Sequence, residues 1–307
     1  MRETIIITGG LGFIGSHLSE FLNTKNYEIV VIDNLSDGSC EKLIPYFEEK
    51  GIFIVQDSVE NIFKHNLSCQ HIIHLAAESN VDKSIHNPIA FMKNNIESTM
   101  AICHWAIEKK VKNFIYFNTD EVYGSSEDYK TKESKLNPSN PYAVSKASAG
   151  HYCWAMNNTF QMPVKEIRCC NVIGPRQAET KIIPKLIQCG INDKSFSVYD
   201  NGIAKREYID IRDLCPIVHS ILQSKESDIF NITFNQEYSI MEIIKEVENV
   251  LGKKIKTFST SRLGHDKYYR MIPDKIISNH KMKHSVQSTI TSFFESFDNL
   301  SSFDLTL

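Results

Sequence analysis

The chain has 307 residues, 42% of them hydrophobic and 23% charged, with a formal net charge of -3, which allows a large core divided between two domains. Without long basic blocks it carries no electrostatic footprint for nucleic acid or an anionic membrane surface, so small-molecule partners are expected. Its eight cysteines include no C-x-x-C pair, which excludes a zinc or disulfide framework and fits reduced thiols in the cytoplasm.

The first residues read as a strand and not as a signal peptide, and no apolar run reaches membrane-spanning length. Thr4 to Thr8 is a β-branched run suited to a parallel strand covered on both faces, and it leads into Gly9, Gly10, Gly12 and Gly15. Glycines let a backbone turn sharply and approach a pyrophosphate with no Cβ in the way. The N–H groups of Phe13, Ile14 and Gly15 then open a helix whose dipole attracts negative charge. A mere glycine-rich connection is the plain alternative. Against it, Asp33 closes the next strand, Tyr27 to Ile32, at the separation expected for an acid on a ribose hydroxyl. Asn34 and Ser36 follow, with no arginine nearby to pair with a ribose 2′-phosphate, so the pattern points to NAD over NADP. Between them, Ile14, Leu18, Phe21 and Leu22 recur at helical spacing as a crossover helix.

Ile52 to Gln56 predicts a third strand, after which Asp57 and Ser58 either meet an adenine edge or simply make a turn. His71 to Ala77 predicts a fourth, and Leu75, Ala76 and Ala77 let backbone come close to the cofactor. His71 and His74, three apart on a strand, point to opposite faces, so no metal site is expected. Pro88 to Lys110 reads as a helix apolar on more than one stripe, deeply buried or at a subunit contact. The expectation is a homodimer in which this helix and the one carrying Tyr142 pack against their mates as a four-helix bundle.

Asn113 to Asn118 predicts a fifth strand, ending in Thr119, Asp120 and Glu121, where the carboxyl ends of a doubly wound sheet form a ligand crevice. Asn140 as N-cap and Pro141 as first helical residue open a helix that places Tyr142 and Lys146 on one face. A nearby ammonium favours an ionised phenolate, so Tyr142 becomes usable as a base, and the lysine can reach ribose hydroxyls. Alone, the spacing also fits a lysine stretching to water.

Val164 to Cys170 predicts a sixth strand, and Asn171 to Pro175 leaves the sheet. The division expected is a dinucleotide-binding domain at 1–170 and a ligand-binding domain at 171–307, some segments of which return to the first. Arg206 to Asp213 alternates as a strand, with Arg206 a surface charge or a diphosphate clamp. Ser239 to Leu251 is an amphipathic helix, and Arg262 to Tyr269 is a nucleotide-contacting loop or a polar turn. The fold class is α/β, a doubly wound parallel sheet of Rossmann type with a smaller C-terminal α/β domain.

These pieces together resemble the extended short-chain dehydrogenase/reductase family, and within it the nucleotide-sugar 4,6-dehydratases that act on dTDP- or UDP-glucose. The residues concerned are TGGLGFIG at Thr8 to Gly15, LAAESNVDKSI at Leu75 to Ile85, NTDEVYG at Asn118 to Gly124, PYAVSK at Pro141 to Lys146, NVIGP at Asn171 to Pro175 and RLGHD at Arg262 to Asp266. The resemblance implies Thr119 on the sugar 4-hydroxyl, Asp120 as acid, Glu121 as base, and Tyr142 with Lys146 as the oxidation base. It further implies Asn171 and Arg206 at the diphosphate, and Ser79, Lys181, Arg262 and His265 elsewhere on a nucleoside diphosphate sugar. The sequence departs from the dehydratase pattern at Asn80, Val172 and Gln177 to Lys181, all in the expected sugar-nucleotide pocket. Competing readings are a 4-epimerase or decarboxylase of the same family, which needs no Asp-Glu pair, and a non-catalytic NAD-sensing protein. A sensor has no use for Glu121 beside Asp120 and Tyr142.

Overall fold

In the computed structural model, which describes residues 2–36, 38–261 and 266–300, the first strand sets the architecture. In β1 (Thr4–Thr8), Ile5, Ile6 and Ile7 are all fully buried. Side chains alternate across a strand, so such a run needs cover on both faces. Ile5 and Ile7 accordingly join one hydrophobic core and Ile6 another. In chain order follow α1 (Phe13–Asn23), β2 (Glu28–Asp33), α2 (Leu43–Glu49), β3 (Phe53–Gln56), β4 (His71–His74), α3 (Val81–His86), α4 (Pro88–Lys109), β5 (Asn113–Thr119), α5 (Pro141–Phe160) and β6 (Val164–Cys169). Then come β7 (Asn171–Ile173), α6 (Ile182–Ile191), β8 (Phe196–Tyr199), β9 (Lys205–Asp210), α7 (Ile211–Gln223), β10 (Ile229–Ile232), β11 (Glu237–Ser239), α8 (Ile240–Leu251), β12 (Thr257–Thr260) and α9 (Val286–Leu300).

The main sheet has seven parallel strands in the order β10-β6-β5-β4-β1-β2-β3. The chain starts in the middle, winds out through β2 and β3, then returns to wind the other way from β4. That reversal between β1 and β4 opens a crevice at the carboxyl ends of the strands, where ligands of doubly wound sheets bind. Two small sheets, β11-β9-β7 and β12-β8, form the rest. A third core around Ile183, Leu186, Ile243 and Val247 packs beneath them. Although it lies late in the chain, β10 pairs with β6 at the edge of the main sheet, and α7 packs on α1.

One expected strand is shorter than its alternation suggests. Arg206 to Asp213 is strand only to Asp210, because the Asp210 carboxylate accepts the N–H of Arg212 at 2.7 Å and caps α7. A carboxylate placed there satisfies an otherwise orphan donor and starts a helix. Ser239 does the same for α8 in a reciprocal cap with Glu242. Among the described residues, no helix is long and apolar enough to cross a membrane.

Candidate active site

A cavity of about 550 Å³ occupies the crevice at the carboxyl ends of the central strands. Gly12, Phe13, Ile14 and Gly15 bring the start of α1 into its wall. A Cβ on Gly15 would lie 2.1 Å from the Gly9 carbonyl oxygen, so only glycine lets the helix start close against the turn. At Gly12 a Cβ would meet the Gly9 oxygen at 3.2 Å and little else, so its absence leaves room on the cavity side. Among the described residues, no side chain caps α1. Its first-turn N–H groups are therefore left for an anion in the cavity.

Gly9, Asp33, Asn34, Ser36, Asp57, Leu75, Ala76 and Ala77 line the same cavity. Asp33 is buried at the end of β2, and its carboxylate accepts the N–H groups of Leu11 and Leu35 at 3.0 Å and the Ser39 hydroxyl at 2.7 Å. Three bonds fix the group while leaving acceptor capacity for a hydroxyl ligand. Asp57 is engaged in its own turn, bonded to Ser58 N, Asn61 and His65, and these bonds hold its pKa at about 2. Ser58 is not part of the cavity wall, and its hydroxyl accepts from Asn34. An uncapped helix start, open space at Gly12 and an anchored acid fit a dinucleotide: pyrophosphate on the helix and ribose at Asp33.

Thr119, Asp120, Glu121, Tyr142 and Lys146 also line the cavity. Thr119 ends β5, and its hydroxyl accepts the Glu121 N–H at 3.3 Å, which starts the short turn holding both acids. The acids meet different surroundings. Asp120 is 3% exposed, its Oδ1 accepts from the Thr119 hydroxyl at 3.1 Å, and its Oδ2 has no partner among the described residues. Burial, and then the charge of Glu121, push the Asp120 carboxyl well above its usual value, which favours its protonated form. Glu121 instead accepts from Asn140 at 3.0 Å and faces the Tyr269 hydroxyl at 3.4 Å. Asn140 performs two tasks, since its Oδ1 also caps α5 through the Ala143 N–H at 2.8 Å.

Tyr142 departs from the sequence reading. Burial first, and then the charge of Glu121, raise its pKa, while Lys146, whose ammonium lies over the Tyr116 ring at 4.4 Å, is not among the groups that lower it. Burial in turn lowers Lys146 to about 8. Burial therefore favours the neutral phenol at this position.

Arg206 stacks on the Tyr269 ring at 4.4 Å and donates to the carbonyl oxygens of Asp266 at 2.7 Å and Lys267 at 3.1 Å. Asn171 bonds the Glu207 carbonyl, and Lys181 reaches the Ser79 carbonyl at 3.2 Å, which joins two of the expected ligand contacts. Arg262 and His265 lie outside the described residues. At one departure the local reason is visible: Asn80 caps α3 by accepting the Lys83 N–H at 3.0 Å. The histidines of β4 are held apart, His71 on Glu3 and His74 between Thr8 and Thr99. Tyr269 and Asp266 lie in the stretch read as a nucleotide-contacting loop or a polar turn, but a contact of either with the acids after β5 was not expected. Tyr269 stands 148 positions from Glu121, and no local spacing signals that contact.

The profile of the NAD dependent epimerase/dehydratase family matches residues 5–233. The chain is 36% identical over 270 residues to dTDP-D-glucose 4,6-dehydratase of Dictyostelium discoideum, covering 81% of this chain but only 62% of that protein. It is 31% identical over 274 residues to the low-salt glycan biosynthesis protein Agl12 of Haloferax volcanii, covering 86% and 88% of the two. The crystal structure of DesIV, a dTDP-glucose 4,6-dehydratase from Streptomyces venezuelae with NAD and TYD bound, superposes with a TM-score of 0.91 at 27% identity, covering 96% of this chain and 97% of that one. At 22% identity, a UDP-glucose 4-epimerase from Thermotoga maritima shares the fold with a TM-score of 0.88, over 97% and 100% of the chains. With the glycine turn, the anchored acid and the Tyr-Lys helix in place around one crevice, the chain belongs to the NAD-dependent epimerase/dehydratase family and uses NAD.

Proposed function

We propose that the chain is a nucleotide-sugar 4,6-dehydratase, converting a nucleoside diphosphate hexose of the dTDP- or UDP-glucose type to its 4-keto-6-deoxy form. The observation that carries this reading is the pair of adjacent acids in unlike surroundings, Asp120 buried with one oxygen unpartnered among the described residues, beside Glu121 held by Asn140. An epimerase has no task for both. The names of the Dictyostelium and Streptomyces proteins support the same reaction.

Loss of water across C5 and C6 is slow until C4 is a carbonyl that acidifies the C5 proton, so oxidation comes first. NAD, when bound, supplies the hydride acceptor and donor and a cationic ring. Tyr142 takes the 4-hydroxyl proton, with Thr119 orienting that hydroxyl and Lys146 adding positive charge. Glu121 removes the C5 proton, and Asp120 gives its proton to the departing 6-hydroxyl, which leaves as water. Asn171 and Arg206 hold the diphosphate, with Ser79 and Lys181 beside it. With substrate deuterated at C4, deuterium is expected at C6 of the product; deuterium back at C4 would make the enzyme an epimerase.

The second part of the proposal is a homodimer through α4 and α5. These helices pack on each other in one chain and still expose Ile89 (79%) and Met100 (38%). Light scattering at micromolar concentration should give twice the chain mass, and a monomer mass would refute it.

A further inference from the structure

In the proposed reaction Glu121 gains a proton, and the side chains around it mark a way out for that proton. Tyr269 Oη lies 3.4 Å from Glu121 Oε2 and 2.5 Å from Asp266 Oδ2. The same Asp266 oxygen accepts a short bond from the Ser139 hydroxyl. Tyr269 is 6% exposed and Asp266 8%, whereas Ser139 is exposed on the loop ahead of α5. The four residues thus form an unbroken file from the cavity wall to the surface.

The polarity of the file is set by chemistry. A phenol has one proton, and the shorter bond assigns it to Asp266. Tyr269 Oη then turns a lone pair to Glu121, an arrangement that suits Glu121 when it carries a proton. Asn140, the other group on that carboxylate oxygen, is a donor only at its Nδ2 and cannot take a proton away. The Tyr269 ring is clamped by the Arg206 guanidinium, itself bonded to the Asp266 carbonyl.

We propose that Tyr269, Asp266 and Ser139 form a proton route between Glu121 and solvent that operates while substrate fills the cavity; this rests on Glu121 being the C5 base. The Glu121 Oε2–H bond breaks as a new Oη–H bond forms on Tyr269, whose original proton passes to Asp266 Oδ2. The Ser139 hydroxyl then rotates so that its proton points to water and a lone pair to Asp266; the Oδ2–H bond breaks as Ser139 Oγ takes that proton, and the serine's own proton passes to water. Glu121 is again a carboxylate, nothing is oxidised or reduced, and the reverse sequence returns a solvent proton. Catalytic hydrogen bonds are often long before substrate binds, and the 3.4 Å link is of that kind. Tyr269 acts through Glu121 and touches no reacting atom, which makes it a positioning residue.

The test runs the NAD-loaded enzyme on dTDP-glucose and UDP-glucose in D2O, stopped early, and reads deuterium at C5 per product formed. The parent should incorporate deuterium at C5, and the ratio should fall roughly tenfold in Tyr269→Phe and in Ser139→Ala, the latter a surface change that leaves the core untouched. A parent-like ratio in either variant, or no C5 deuterium in the parent, overturns the route while the dehydratase reading stands. If no 4-keto-6-deoxy product forms from either sugar, that reading fails and the route falls with it.

Discussion

Tyr142→Phe is expected to lower turnover by about two to four orders of magnitude, the usual contribution of one positioned acid or base. The substitution removes a single oxygen and keeps the ring on the first turn of α5, so packing and NAD binding should persist. What goes is the phenol that lines the cavity together with Thr119 and Lys146. The raised pKa matters here: burial favours the neutral phenol, so cationic charge beside it would ease the loss of its proton. In a single turnover with C4-deuterated substrate, no label should leave C4. Label leaving C4 at near the parent rate would assign the first proton transfer to another group, Thr119 foremost.

Glu121→Gln should slow product formation by a similar factor of about a hundred or more, yet at a different step. Glutamine keeps the size and the contact to Asn140 but cannot accept a proton from C5. Label should therefore still leave C4 in a single turnover, while the C5 proton stays in place and no water is lost. The two variants divide the reaction between the phenol and the carboxylate. If Glu121→Gln forms product at the parent rate, the assignment of Asp120 and Glu121 to opposite roles fails.

How much of this was readable in the chain depends on range. The glycine turn, Asp33 at the end of β2 and the Asn140-Pro141 opening of α5 are local chemistry, and Gly9, Gly12, Gly15, Asp33 and Asn140 all line the cavity. The Arg206 to Asp213 stretch misled because alternation is blind to a capping carboxylate: Asp210 ends the strand by bonding forward to Arg212. The effect on Tyr142 misled for another reason. Helical spacing puts Lys146 one turn away, but the phenol responds first to its burial and then to the Glu121 charge just past β5. The stretch ending in Tyr269 could be singled out, but the contacts of Tyr269 to Glu121 and of Asp266 to Ser139 were out of reach because they depend on the whole intervening fold.

The late return of β10 to the main sheet bears on synthesis. Until the ribosome has released residues up to Ile232, β6 has no neighbour on its outer side. Its backbone donors and acceptors wait as an open edge, the kind that pairs with other chains. The nascent first half is thus a sticky intermediate, and a gene cut after residue 170 should yield aggregates in place of a free-standing dinucleotide module.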